Sequence, residues 1–105
     1  MAIETPIPRR VSDAGLLRLI RQLAQDSSNI YLESHARLRM KQRKISNSQV
    51  LACLRRGDIH EPAHQDIRGR WKCTLKYRWA GDEIHAAVAL ERDEDGAWVA
   101  VVTVF

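Results

Sequence analysis

The sequence predicts an α+β domain in which N-terminal helices pack on one face of a three- to four-stranded antiparallel meander. Apolar residues recur at helical spacing as far as Gly57 and alternate with polar residues beyond it. Helices followed by strands in this order are typical of a helix layer on an antiparallel sheet. The 105 residues suffice for one hydrophobic core and are too few for two. We therefore expect a single domain over residues 12–105, preceded by a flexible lead-in at residues 1–11.

Capping residues and apolar spacing define the first two helices. The first is predicted from Asp13 to Gln25, with Ser12 as its N-cap. The second is predicted from His35 to Arg43, with Ser34 as its N-cap. The short apolar segment Ile30–Leu32 lies between them and fits either a brief strand or a packed loop.

The third helix has signals at both ends. It begins after Ser46, because Gln49 three residues later completes a capping-box pattern. Gly57 is its predicted C-terminal cap. The next residues, Asp58–Glu61, are predicted to form a short strand that Pro62 ends, because proline has no N–H for a sheet.

Alternation of apolar and polar residues predicts the three main strands of the meander. Turn-forming residues at 80–82 and 93–96 separate them. The predicted strands are Trp71–Trp79, Ile84–Leu90 and Trp98–Phe105.

The charge balance excludes some classes of protein. Lys and Arg number 17 and Asp and Glu number 13, so the formal net charge is +4. This charge excludes an acidic tail and a supercharged nucleic-acid arm, but it permits a basic patch. The longest apolar stretch, residues 97–105, is about half of a membrane span. Because the first ten residues also lack the apolar core of a signal peptide, we expect a soluble, cytoplasmic protein.

Metal binding is not predicted from the spacing of the potential ligands. His60 and His64 are four residues apart, but Pro62 between them argues against a helix that would align them. Cys53 and Cys73 do not form the close pair that zinc sites usually contain. In a reducing compartment we expect both to be buried thiols.

Two residues of the second helix have side chains suited to phosphate chemistry. His35 and Arg39 are one turn apart, on the part of the helix that we expect to face the protein. An imidazole transfers protons near neutral pH, and a guanidinium binds phosphate oxygens in a fork. The same spacing also fits a structural role, with the histidine donating to a carbonyl and the arginine paired with a carboxylate such as Glu61.

The strand predicted at 71–79 has one basic face. Lys72, Lys76 and Arg78 project on the same side as Thr74. Such a face is able to follow a nucleic-acid backbone through phosphate contacts. It is equally compatible with the ordinary solvated face of an antiparallel sheet.

Three segments resemble a small bacterial family known as domain of unknown function 4258. The first, Ser34–Ser46, shows a Ser-His-Ala start, an arginine four residues after the histidine, then Met, Arg and Ile-Ser. The other two are Leu54–Ile59 and Val101–Phe105. The resemblance extends over about Ile30 to Phe105 and leaves out the first helix.

That family in turn resembles RelE/ParE-type toxins, in which a helix pair packs on an antiparallel sheet. The resemblance implies a toxin-like domain and, by analogy, a ribonuclease that uses neither metal nor cofactor. In this interpretation His35 transfers a proton and Arg39 holds the scissile phosphate. Lys72 adds stabilising charge, and Thr103 positions the substrate. Further substrate contacts are expected from Arg43, Lys76 and Arg78.

Two points stay open at this stage. The second proton-transfer group is Tyr77, Glu61 or His85. The domain is alternatively a non-catalytic protein-binding module, ParE-like or an accessory protein of a mobile element. The corresponding partners are RNA, a cognate antitoxin protein, and a second copy paired through the last strand, which we expect at the edge of the sheet.

Overall fold

The computed structural model describes residues 11–105, so the predicted lead-in lies, except for Val11, outside the described residues. Within this range three helices precede most of a five-stranded sheet. The helices are α1 (Asp13–Ala24), α2 (Ser34–Arg43) and α3 (Asn47–Arg56). The strands are β1 (Ile30–Leu32), β2 (Asp58–Gln65), β3 (Trp71–Trp79), β4 (Asp82–Asp93) and β5 (Gly96–Val104).

Helix α1 forms as predicted and ends one residue early, at Ala24. The hydroxyl of Ser12 accepts a hydrogen bond from the N–H of Gly15 at 3.0 Å, which satisfies one of the free donors of the first turn. The opposite end of the helix is bound to α3, because Nε of Arg55 donates to the Ala24 carbonyl at 2.7 Å. Helix α1 is therefore fixed to the rest of the domain by polar contacts.

The predicted start of α2 is wrong by one position. Glu33, not Ser34, is the N-cap, and no side chain bonds to the first turn. The N–H of Glu33 donates to the Val101 carbonyl of β5 at 3.0 Å. This bond holds Glu33 in an extended conformation, so that the helix begins at the next residue.

The capping box predicted for α3 is confirmed. The N–H of Gln49 donates to the Ser46 hydroxyl at 3.2 Å, and the N–H of Ser46 donates to the Gln49 side chain at 2.7 Å. Two orphan donors of the helix start are thus satisfied reciprocally.

Gly57 ends α3 as predicted, but not through a left-handed backbone, since its φ is −70°. A Cβ at this position would lie 2.4 Å from the carbonyl oxygen of Cys53 and 2.7 Å from that of Lys76. Gly57 is therefore required because the backbones of α3 and β3 approach so closely here.

The strand order is β1-β5-β4-β3-β2. Strands β2 to β5 form the predicted antiparallel meander. Strand β1 adds a fifth, parallel strand, with Ile30 opposite Val99, so the sheet is mixed rather than antiparallel throughout. The chain between β1 and β5, which forms α2, α3 and strands β2 to β4, is long enough for the crossover that a parallel pair needs. The last strand is consequently an inner strand, which contradicts its predicted place at the edge; the edges are β1 and β2.

Strand β2 continues past Pro62, where the sequence predicted its end. It lies at the edge of the sheet, where a missing N–H costs little if it faces outward. Register shifts occur between Ile59 and Glu61 and between Glu61 and His64. These irregularities accommodate the proline within the strand.

All three helices pack on one face of the sheet and form a single core with it. The strand residues in that core include Cys73, Leu75, Val88 and Val101. Because successive side chains in a strand point to opposite faces, the alternate residues point away from the helices. In β5 the register shift between Val101 and Thr103 changes the phase of this alternation, so that Thr103 and Phe105 also point away from the helices. We call this side the open face. Its members include Lys72, Thr74, Lys76, Glu83, His85, Ala87, Ala89, Glu91, Trp98, Ala100, Thr103 and Phe105.

The burial of α1 predicts that Ile20→Ala is strongly destabilising. Ile20 is 1% exposed in the shared core, and truncating a buried isoleucine to alanine costs about 2–5 kcal/mol. Gln22→Ala, on the exposed side of the same helix, should change stability by less than about 0.5 kcal/mol. Urea denaturation followed by circular dichroism measures both. Equal effects of the two variants would show that α1 does not belong to the core.

The close approach at Gly57 predicts a second stability difference. Gly57→Ala forces backbone displacement, for which we expect a cost of at least about 2 kcal/mol. Gly69→Ala is the matched control, because its Cβ would meet no atom within 4 Å but its φ is +80°. Left-handed strain alone costs about 1–2 kcal/mol. The same denaturation experiment compares them, and a Gly57→Ala variant no less stable than Gly69→Ala would contradict the steric explanation.

Candidate functional site

The open face is built from side chains that stand opposite one another on neighbouring strands. One row across the sheet joins Thr103, Ala87 and Thr74. The next row joins Phe105, His85 and Lys76. Opposite residues in such rows have Cβ atoms about 5 Å apart. The open face therefore places hydroxyl, imidazole and ammonium groups side by side.

Among the described residues, two lysines on the open face form no salt bridge, although Lys76 lies close enough to Glu83 to lower the pKa of that carboxyl. Lys72 and Lys76 are half-buried, and within residues 11–105 neither forms a salt bridge. Lys72 stands opposite Ala89, which in turn stands opposite Ala100. Both alanines are buried, at 1% and 2% exposure, so the longer side chains around them, Lys72 among them, form the surface here. This part of the face is suited to an anionic ligand.

A histidine cluster occupies the same face. The rings of His60 and His85 are in contact, with centroids 4.3 Å apart. Nε2 of His85 lies 3.2 Å from Oε2 of Glu83, and its ring meets the edge of Phe105 at 5.3 Å. The His85 side chain is 17% exposed, whereas His60 is exposed. One ring is thus held in place and the other faces solvent.

The charge environment of Glu83 supports this arrangement. The hydrogen bond from His85 lowers the pKa of Glu83, against the opposing effect of partial burial. The positive charges of Lys76 and Arg78, and that of the His85 ring whenever it carries a second proton, lower the pKa of Glu83 further. Glu83 is therefore a carboxylate at neutral pH and is able to accept a hydrogen bond from the His85 ring.

Arg70 holds together a group of three carboxylates at the other end of the open face. Its guanidinium contacts Asp66 at 2.8 Å, Glu91 at 2.7 Å and Glu33 at 3.7 Å. The hydrogen bonds to Glu91 and Asp66 raise the pKa of Arg70. Partial burial raises the pKa of Asp66, but its hydrogen bonds with Arg70 and with the Arg68 N–H lower it by more. These contacts tie the β2–β3 turn to β4 and to the segment before α2.

The structure corrects the predicted orientation of His35. Helix α2 buries Ala36 and Met40, and His35 is exposed. At about 100° per residue, His35 points some 140° away from Met40 on the helical wheel. His35 therefore does not face the protein, and the structure shows no hydrogen bond or ion pair to it within residues 11–105.

The remaining predicted site residues fall into two groups. Arg39, half-buried, and Arg43, exposed, lie on α2 in the helix layer. Lys72 and Thr103 lie on the open face, on the other side of the sheet. This arrangement does not bring the two groups together in one cleft: His35 and Arg39 lie in the helix layer, and Lys72 and Thr103 lie on the open face.

The site residues that were predicted on strands all lie on the open face. Lys76 and Arg78 stand opposite His85 and Glu83. Of the three candidates for a second proton-transfer group, Tyr77 packs against the hydrophobic core and so lies on the wrong face. Glu61, opposite Thr74, and His85 remain on the open side.

The segment that forms α2 and α3 is strongly basic, which the predicted site residues alone did not indicate. Residues 34–57, which contain α2 and α3, include seven Lys and Arg residues and no Asp or Glu. Within the described chain none of the seven takes part in a salt bridge. The signal is the absence of acidic residues over this range. By contrast, the Arg70 group brings together residues from distant segments and carries no such sequence signal.

A groove of about 440 Å³ lies beside the sheet edge formed by β1. Two aromatic side chains, Tyr31 and Trp98, line it together with the acidic residues Asp93 and Asp95. Tyr31 is 55% exposed. The groove combines π faces and carboxylates, which are the two features that attract a cationic side chain.

Neither cysteine has the environment of a nucleophile. Cys53 and Cys73 are buried and unpaired, and burial raises the pKa of each thiol to about 12. Within residues 11–105, no group of three or more His, Cys, Asp or Glu side chains is arranged to hold a metal ion. No helix in the same range is both long enough and apolar enough to cross a membrane.

Comparison with known families identifies the domain. A family model described as a domain of unknown function, DUF4258, matches residues 32–105. The chain belongs to the DUF4258 family. The DUF4258 match begins close to the predicted start at Ile30 and, as predicted, leaves out α1. No curated protein and no solved structure matches the chain.

The buried thiols predict slow chemical modification of the folded protein. At about pH 8 a thiol with so high a pKa forms almost no thiolate, so neither cysteine should react with a disulfide reagent such as DTNB. Unfolding in urea should release both. Ser48→Cys, exposed on α3, is the positive control and should react at once. Rapid release of two equivalents from the folded protein without that substitution would contradict the burial.

Proposed function

We propose that this DUF4258 domain is a toxin-like protein that binds RNA on the open face of its sheet and cleaves it without a metal ion. The observation that carries the proposal is the position of Lys76 opposite His85, whose ring contacts that of His60, with Lys72 four residues along the same strand, on the sheet face opposite the helices. The helix pair packed on a sheet supports the resemblance to RelE/ParE-type toxins.

Phosphate binding follows from the charges of this face. Lys72 and Lys76 lie on one strand at alternate positions, so their side chains follow the strand direction. A nucleic-acid backbone laid along β3 would meet both ammonium groups in turn. Each phosphate contact of this kind contributes affinity that decreases with salt and does not depend on base sequence.

Cleavage of RNA needs no cofactor, because the substrate carries its own nucleophile, the ribose 2′-hydroxyl. The protein has to supply a base, an acid and positive charge near the phosphate. The open face offers all three kinds of group. DNA lacks the 2′-hydroxyl, so this chemistry is selective for RNA.

The alternative function is that of a protein-binding module whose partner resembles an antitoxin. The observation that favours it is the groove formed by Tyr31 and Trp98 with Asp93 and Asp95 beside the β1 edge. A cationic segment of a partner would pair with the carboxylates and stack on the aromatic rings. The two functions are compatible, since the groove lies at the β1 edge and the lysines lie on β3, with β5 and β4 between them.

The proposal predicts RNA binding and cleavage by the purified chain in the presence of a chelator. Lys72→Gln and Lys76→Gln should each weaken RNA binding and reduce the slope of log affinity against log salt by about one unit. Arg18→Gln removes an exposed cation from α1 in the helix layer and should leave both unchanged. Fluorescence anisotropy with a labelled oligoribonucleotide measures these changes.

Three results would contradict the proposal or redirect it. Failure of the intact chain to bind RNA would contradict it, and so would equal effects of all three substitutions. Growth arrest on expression without any RNA cleavage would favour the protein-binding alternative instead.

A further inference from the structure

We infer that His60 and His85 are the proton-transfer pair of the open face, with Glu83 positioning His85. This inference rests on the proposed function and names the residues that carry out its chemistry. It differs from the sequence-based interpretation, in which His35 of α2 had that role. The two interpretations predict different results for the same set of variants.

Contact between two imidazoles on an uncovered face is the first observation. The ring centroids of His60 and His85 are 4.3 Å apart, although the residues lie on β2 and β4 with β3 between them. His60 lies at the register shift between Ile59 and Glu61 and has no cross-strand partner on β3. A ligand on the open face at this point would meet both rings together.

Free ring nitrogens are the second observation. Nε2 of His85 faces Glu83, so Nδ1 is the nitrogen left for a substrate. Among residues 11–105 neither nitrogen of His60 has a hydrogen-bond partner. Histidines with a purely structural role commonly have such partners within the protein. This pair instead has proton-transfer atoms without a protein partner.

Glu83 acts through His85. A carboxylate that accepts a hydrogen bond from one ring nitrogen fixes the tautomer and leaves the other nitrogen as a base. The carboxylate also stabilises the imidazolium that forms when that base takes up a proton. Glu83 is thus a positioning residue, and we assign His85 the role of general base and His60 that of general acid.

Positive charge is available at the same point. Lys76 stands directly opposite His85, with Cβ atoms about 5 Å apart, and it has no salt-bridge partner in the described chain. Its ammonium group is able to reach a phosphate bound on the open face over the two rings. Charge that develops on the phosphoryl oxygens would be stabilised there.

The reaction balances without any further reactant. Nδ1 of His85 takes the proton from the ribose 2′-hydroxyl, and the 2′-oxygen forms a bond to phosphorus. The bond from phosphorus to the 5′-oxygen breaks, and protonated His60 gives its proton to that oxygen. The products are a 2′,3′-cyclic phosphate and a free 5′-hydroxyl. Water then takes the extra proton from His85 and gives a proton to His60, which restores both rings.

Single-turnover cleavage of a short oligoribonucleotide in chelator tests this assignment. His60→Gln and His85→Gln should each lower the rate by about 100-fold or more, the usual contribution of general acid–base catalysis. RNA affinity, measured by anisotropy, should stay within about two-fold of the unmodified protein, because phosphate contacts supply most of the binding. Glu83→Gln should have a smaller effect on rate.

Two other histidines provide matched controls. His64 lies on the same strand as His60, is exposed, and has no ring contact with His85. His35 lies on α2. We expect His64→Gln and His35→Gln to cleave at the unmodified rate. A large loss in His35→Gln with full activity in His60→Gln and His85→Gln would overturn the inference in favour of the sequence-based interpretation.

The outcomes separate this inference from the proposed function. Cleavage by the intact chain that survives both His60→Gln and His85→Gln overturns the inference and leaves the proposed ribonuclease in place. Binding without any cleavage by the intact chain overturns the inference and the catalytic part of the proposal. Absence of both binding and cleavage overturns both proposals.

Chemical rescue distinguishes the loss of a proton-transfer group from the loss of the fold. His85 is largely buried, so a variant at this position is checked by circular dichroism for its thermal transition. In His85→Ala, added imidazole should restore part of the cleavage rate, and the product should again carry a 2′,3′-cyclic phosphate. A folded His85→Ala variant that imidazole does not rescue, with His60→Gln fully active, would overturn the assignment.

Discussion

Burial of the aliphatic side chains of β3, β4 and β5 beneath three helices determines where every other side chain of the sheet lies. With Leu75, Val88 and Val101 in the core, the strand period of two assigns their neighbours to the opposite face. An exception lies in β5, where the register shift opposite Ala87 and Val88 lets Val104 join Val101 in the core and places Thr103 on the open face. A shift of one residue in any of these strands would expose its apolar side chains and bury its polar ones. The open face is therefore a consequence of core packing. The lysines and histidines of that face are held in register by hydrophobic contacts on its other side.

Helix α1 shows that the cooperative unit extends beyond the family region. The DUF4258 match begins at residue 32, yet Leu16, Ile20 and Leu23 of α1 are among the fully buried side chains of the core. The helix also receives the Arg55 hydrogen bond at its last turn. A DUF4258 domain without an equivalent helix would have to cover this apolar surface in another way. Family boundaries and the boundaries of a stable core thus differ in this chain.

Local chemistry explains which elements were predictable from the sequence. The capping box at Ser46 and the hairpins depend on neighbouring residues and form as predicted. The parallel β1, the passage of β2 through Pro62 and the cap at Glu33 depend on strands that are distant in sequence. The same distinction applies to the site. Alternation placed Lys72, Lys76 and Arg78 on one face, but the contact of His60 with His85 crosses an intervening strand and leaves no periodic signal.

The Arg70 group makes the distribution of charge along the open face uneven. One guanidinium shared by three carboxylates leaves a formal excess of two negative charges at that end of the sheet. Toward the end of β4 that carries His85, the face bears Lys76 and Arg78 beside a single carboxylate, Glu83. The formal charge of the open face therefore becomes more positive from the Arg70 group, past Lys72, toward Lys76 and Arg78. A polyanion that approaches this surface would be drawn toward the His85 end, which would orient it before any specific contact forms.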